Sequence, residues 1–218
     1  MRKRVLAWSA VALVLAIAAV AAAAAASADN GKGKGHKTRQ LATLKHQVAT
    51  LKLQNKRLRD QFTPAGIQRQ LAKTKAALDK YHSVDQAKAD GYAIESPCVM
   101  SPVDPGQTSY GGTMGVHFVN DAILKSGTLD PAKPPVLVYQ PTSGSGFELV
   151  AAEYFKPDAD QNTATDDDRP SLFGRAFDGP MLGHAPGMPI HYDLHVWLWK
   201  RNPSGLFAPW NRDASCAT

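Results

Sequence analysis

Three groups able to bind a metal or move a proton share one row of the segment Ile190 to Lys200, IHYDLHVWLWK, in which every second residue reads His191, Asp193, His195, Trp197, Trp199. Imidazole nitrogen and carboxylate oxygen suit zinc, copper, nickel, iron or manganese, and the same groups serve as general acids and bases. Successive side chains of a strand point to opposite faces. Ile190, Tyr192, Leu194, Val196 and Leu198 are therefore expected in a core, with the histidine row facing a pocket walled by the two tryptophans. On a strand His191 and His195 stand about 13 Å apart, so one ion can take only one of them. On a helix they would lie one turn apart and could chelate together. HYDLH lacks the glutamate that follows the first histidine in HExxH, and Pro189, Asn202-Pro203 and the aromatic content favour the strand.

Further ligands must come from other strands. His117 sits in GVHFV, in a row with Gly115 and Val119; Glu153 sits in FELVAAEYF, in a row with Leu149, Ala151 and Phe155. A carboxylate in an apolar row needs a cation, a histidine or a metal. The expected ligand set is His117, Glu153 and His195, holding a single transition-metal ion. His191 and Asp193 would support or gate it, and in an enzyme they are the candidate catalytic groups. His184, in the loop DGPMLGHAPGMP, joins Tyr192, Trp197 and Trp199 as pocket or lid. The competing reading is a hydrogen-bonded core network in which the histidines are only structural.

Other chemistries are poorly served. Gly111-Gly112-Thr113-Met114-Gly115 precedes a strand rather than a helix, so it is no phosphate cradle, and no nucleotide cofactor is expected. Asp158, Asp160, Asn162 and Asp166 to Asp168 resemble a calcium loop only in acidity, because Thr163 and Arg169 stand where an EF-hand needs glycine and glutamate. Ser143 and Ser145 lie in a flexible turn, and nothing marks a serine or cysteine nucleophile.

The elements that must position these groups follow from texture. Strands are expected near Tyr92–Glu95, Met114–Val119, Val136–Gln140, Phe147–Phe155 and Ile190–Lys200, with VLVYQ and FELVAAEYF forming an antiparallel hairpin. Long loops at 96–113 and 156–189 could cover a pocket. A helix from Pro64 to about Tyr81 uses Ile67, Leu71, Thr74 and Leu78, and Ser83 with Gln86 makes a capping-box pattern for a short helix ended by Gly91. The fold class is α+β: an N-terminal helical, coiled-coil-like stalk and then an antiparallel sheet or small open barrel. The expected divisions are a signal peptide (1–28), a flexible linker (29–37), a basic heptad helix (38–63), a helical segment (64–91) and a β-rich domain (92–218).

Arg2, Lys3 and Arg4, the apolar run Val5 to Ala26 and the Ala26-Ser27-Ala28 cleavage pattern read as a secretory signal. Left uncleaved, the run is long enough to anchor the chain in a bilayer. In an exported chain Cys98 and Cys216 are expected to form a disulfide, stabilising by up to roughly 4 kcal/mol. The formal net charge of +6 hides a division: 13 Lys/Arg against 3 Asp/Glu from Asp29 to Lys80, and 9 against 16 from Tyr81 onward. The basic segment could meet anionic lipid or envelope polymer, or simply be a solvated helix face. Specific nucleic-acid recognition is not expected.

Leu41, Leu44, Val48, Leu51, Asn55, Leu58 and Phe62 follow one another at steps of three and four, a seam along which two copies could pair through residues 41–62. Lys45, Lys52 and Arg59 flank it opposite Gln40, Gln47 and Gln54, so a parallel dimer does not force like charges together. Three heptads are marginal for a free coiled coil, and packing of the stripe back on the domain is the alternative.

From Tyr81 onward the chain resembles a group of uncharacterised secreted bacterial proteins, most common in actinobacteria. The marks are the ADGY helix end (Ala89 to Tyr92), the Gly-Gly-x-x-Gly-x-His strand (Gly111 to His117) and the terminal block His191 to Asn211. The resemblance implies a shared fold and an exported setting, with no activity to carry over, and it leaves the basic stalk outside. Two functions emerge: an exported protein whose histidine and carboxylate pocket binds a transition metal, or a non-catalytic envelope protein that binds through its basic stalk.

Overall fold

The computed structural model describes residues 34–101 and 111–217, with side chains from Thr38 onward; the expected signal segment and most of the expected linker lie outside these residues. The chain divides between Lys56 and Arg57 into two compact units. Helix α1 is Lys34–Gln61 and begins inside the stretch read as linker. Among the described residues no helix is long and apolar enough to cross a membrane.

In the second unit, Thr63 caps helix α2 (Pro64–Leu78) by accepting from Gly66 N, with proline at the first helical position where its missing N–H costs nothing. Leu71, Thr74 and Leu78 turn inward at helical spacing. A 3₁₀ turn, Asp79–His82, leads to helix α3 (Val84–Ala89). Only half of the expected capping box forms: Ser83 Oγ accepts from Gln86 N, while the Gln86 amide turns away to Asp90. Gly91 follows at φ +93°, where a side chain would crowd Asn120.

A seven-stranded antiparallel sheet follows, built from β1 (Ala93–Ile94), β2 (Val99–Met100), β3 (Thr113–Val119), β4 (Val136–Thr142), β5 (Gly146–Pro157), β8 (Asp178–Met181) and β9 (His191–Val196). Its order is β1-β3-β4-β5-β9-β8, with β2 also on β3; it is an open sheet, not a closed barrel. Helix α4 (Asp121–Ser126) links β3 to β4, capped by Asn120, whose amide also donates to Asp90 O. The β4–β5 hairpin forms as the sequence predicts. The long loop expected at 156–189 instead carries a small ladder of β6 (Ser171–Leu172) and β7 (Arg175–Ala176), then edge strand β8. Pro180 masks β8, since Gly-Pro argues against a strand; here it occupies an edge with a cis Gly179–Pro180 bond, as proline requires.

One sheet face is the main core, where Phe118, Leu137, Tyr139, Leu149, Ala152, Tyr154, Tyr192, Leu194 and Val196 pack with Leu71, Leu78 and Tyr81 of the helical layer. The opposite face is smaller: Val136, Val138, Val150, Ala151 and Trp197 pack with Ala214 of the C-terminal segment. That segment is held down by backbone pairing of Asn211 with Thr113, by Trp197 Nε1 donating to Ala208 O at 2.7 Å, and by the Asn202 amide donating to Ala208 O and Trp210 O. The Cys98–Cys216 disulfide closes a span of 118 residues over the same region.

Candidate metal centre

The site lies on the smaller face, and a bulge in β5 determines that Glu153 reaches it. Across the β4–β5 ladder Tyr139 pairs with Leu149 but Val138 pairs with Ala151, so Val150 is an extra residue. The insertion reverses the alternation: Leu149 belongs to the main core together with Ala152 and Tyr154, while Ala151, Glu153 and Phe155 take the other face. The strict alternation read from sequence placed Leu149 in the row of Glu153, and the bulge corrects it. Glu153 then stands between Val136 on β4 and His195 on β9. His117 enters from β3, paired with Val138 on the same face. It is placed by Gly115, whose φ of +115° and close approach to Tyr139 O leave no room for a Cβ.

These strands bring His117, Glu153 and His195 together, with one ligand atom from each lying within 4.8 Å of the others. Glu153 Oε2 is 3.3 Å from His117 Nε2 and 3.7 Å from His195 Nε2. The His195 side chain is 1% exposed and the His117 side chain 14%, so the site opens toward His117.

The electrostatics of these contacts are those of neutral groups. Burial pushes His117 down to about 4, helped by nearby His184, and His195 down to about 3, helped by His117. Burial, with Asp193 adding to it, holds the Glu153 carboxyl well above the usual carboxylate range. At neutral pH the histidines are uncharged, and burial disfavours the ionised form of Glu153, so these contacts are not ion pairs of the ordinary kind. Nor are they good hydrogen bonds, which for N–H···O fall at about 2.7–3.2 Å. Among the described residues no hydrogen-bond partner lies at Glu153 Oε2, at Asp193 Oδ1, or at either ring nitrogen of His195.

Such atoms are costly to bury unpaired, and Glu153 Oε2 stands from His117 Nε2 at close to the spacing of two ligands around one ion. Two donors each about 2.1 Å from a tetrahedral zinc stand roughly 3.4 Å apart. The set fits a metal in donor chemistry, and side-chain rotation can close its wider pairs. His117 is oriented for this by Ser96, whose Oγ accepts from the His117 backbone N–H at 3.2 Å and lies 2.9 Å from Nδ1. With the ring proton on Nδ1 donated to Ser96, the lone pair on Nε2 points at Glu153.

Asp193 continues the row along β9, paired with Phe155 on one side and Asp178 of β8 on the other. Burial, reinforced by Asp178, raises its carboxyl to about 7. His191 stacks on Phe155 with centroids 4.5 Å apart, directs Nδ1 to Pro189 O, and meets His184 edge-on at 5.2 Å. His191 does not join the ligand group, as the strand spacing requires. His184 brings its exposed loop against this row. Trp197 is buried on the same face, next to Val138 and Ala151.

Trp199 and Tyr192 go elsewhere. Strand β9 ends at Val196, so alternation stops, and Trp199 turns to the helical side, where its indole donates to Asp79. Tyr192 packs in the main core, its hydroxyl reaching Asp168 at 2.8 Å and Asp158 at 3.3 Å. Neither wall of the site therefore includes them. Ser96 and Asp178 are neighbours of the site that the sequence reading missed. Ser96 is legible only through the short pairing of β1 with β3, and Asp178 only if the Gly-Pro edge strand is recognised.

Comparison with protein-family models, with curated proteins and with solved structures gives no match for this chain. The functional reading rests on the site.

Proposed function

We propose that the β-rich part of this chain is an exported domain binding one transition-metal ion through His117, Glu153 and His195. The observation that carries the reading is the convergence of three buried ligand groups from three strands, with ligand atoms of Glu153 and His195 left unpaired. Two histidines and one carboxylate are the donor set of His₂Glu zinc sites and of two-histidine, one-carboxylate iron sites, both of which keep a coordination position open. Bound there, such an ion would supply Lewis-acid polarisation of an oxygen ligand. The neutral histidines present their lone pairs without first losing a proton, and Glu153 would bind as its carboxylate. Asp193, carrying a carboxyl proton near neutral pH, and His191 stand along the same row within the protein for proton transfer. Support for export comes from the N-terminal apolar run, the disulfide and the resemblance to secreted actinobacterial proteins.

The test is elemental analysis by mass spectrometry of protein purified without a histidine tag from periplasm or medium. About one equivalent of a transition metal, lost in His117→Ala and His195→Ala with the circular dichroism spectrum retained, is the expected result. Protein that is metal-free and takes up none of zinc, copper, nickel, manganese or iron on titration would overturn it. The histidines would then be structural and attention would pass to the basic helix.

A further inference from the structure

The geometry of α1 points to a second function independent of the metal site: we infer that α1 pairs with α1 of a second copy of this chain as a parallel, in-register, two-stranded coiled coil. Its apolar stripe is uncovered, with Leu41 54%, Leu58 55% and Phe62 64% exposed and Val48 and Leu51 also open to solvent. An exposed stripe of this kind calls for a partner surface.

The identity of the partner follows from which residue holds which position. Leu41, Val48, Asn55 and Phe62 occupy the first core position of successive heptads, and Leu44, Leu51 and Leu58 the second. Leucine at the second position throughout, with β-branched Val48 at one first position, is compatible with two strands. A single asparagine at the first position sets register and limits the assembly to a pair, because its amide is satisfied by the matching amide of an aligned copy. Asn55 is half-buried within the helix and holds that place.

Charge selects the direction. In a parallel pair Gln40, Gln47 and Gln54 of one copy flank Lys45, Lys52 and Arg59 of the other, neutral amide against cation. An antiparallel pair would set the Lys45, Lys52 and Arg59 edges of the two copies against each other, a like-charge contact along the whole seam. An anionic polymer would satisfy these cations but leave the leucines in water. With only three heptads, pairing should be weak and concentration-dependent.

The test is sedimentation equilibrium of the exported chain from about 1 μM to a few hundred micromolar. A reversible monomer–dimer equilibrium is expected, weakened more than about 100-fold by Leu44→Glu with Leu51→Glu. Because Leu51 is exposed and Leu44 only half-buried, that variant should keep the metal content and unfolding midpoint of the parent, which separates lost pairing from lost folding. Val48→Cys should give an interchain disulfide under mild oxidation, since only a parallel, in-register pair brings the two Val48 positions together. A parent that stays monomeric throughout, a dimer indifferent to the double glutamate variant, or a Val48→Cys dimer that does not cross-link would each overturn the proposal. So would a monomer captured by anionic vesicles, which would identify α1 as a membrane-surface helix.

Discussion

Glu153 on β5 and His195 on β9 face each other as a direct cross-strand pair, with Oε2 3.7 Å from Nε2 and both side chains buried. The register brings them together and holds them too far apart for a hydrogen bond. Burial opposes the charged form of each partner, and a positive charge between them would relieve that cost for the carboxylate.

Glu153→Gln therefore separates stability from binding. The amide matches the protonated acid in shape and charge, and chelator-treated protein should unfold within about 1 kcal/mol of the parent. Metal affinity, read by isothermal titration calorimetry, should fall by more than about 100-fold, beyond what losing a supporting hydrogen bond costs.

The metal-free protein should also carry a distinctive pH profile. His117 and His195 ionise near 6.5 when unfolded but only near 4 and 3 when folded, so stability is present above about pH 6.5 and is lost as pH falls toward 4. Glu153 and Asp193 have raised folded values, about 7 for Asp193, so they contribute stability below their unfolded values that is lost as pH rises. The two trends offset each other between about pH 4 and 6.5. Above 6.5 only the carboxyls remain, and stability should decline by at most about 1.4 kcal/mol per pH unit for each group. Denaturant melts in chelator from pH 6 to pH 8 test this; Glu153→Gln should flatten the decline and Asp193→Asn should flatten it further.

Ser96→Ala removes the oxygen that fixes the His117 ring. Metal affinity should drop about 10- to 100-fold while the unfolding midpoint moves little, because Ser96 is only partly buried. Ser96→Thr keeps a hydroxyl at the same place and should recover most of the affinity.

Replacing Cys98 and Cys216 together by alanine should lower unfolding free energy by up to about 4 kcal/mol, checked against the parent with and without reductant. Hydrogen exchange should rise first around Trp197 to Ala214, the segment that the bond holds against the smaller sheet face.

Much of this was legible in the residues. The ligand group follows from alternation on three strands plus the need of a buried carboxylate for a partner, and exclusion of His191 follows from strand spacing alone. Helix α2 announced itself through Pro64 and the inward stripe at Leu71, Thr74 and Leu78, and the disulfide through there being two cysteines. What failed was anything that depends on where alternation is interrupted. Leu149 was misassigned because a bulge has no pattern of its own, and Trp199 because β9 ends at Val196, past which strand alternation no longer applies. Strand β8 was hidden by a proline that an edge tolerates.

The extra residue at Val150 makes β5 a strand read in two frames. Upstream of it one parity of the sequence means core and the other means site; downstream the meanings are exchanged. Removing the extra residue Val150 would merge the two frames and still leave Leu149 in the core and Glu153 at the site, whereas straightening the strand at its present length would send the carboxylate into the apolar layer and bring Tyr154 to the histidines. The centre therefore depends on where β5 breaks its rhythm as much as on which side chains the strand carries.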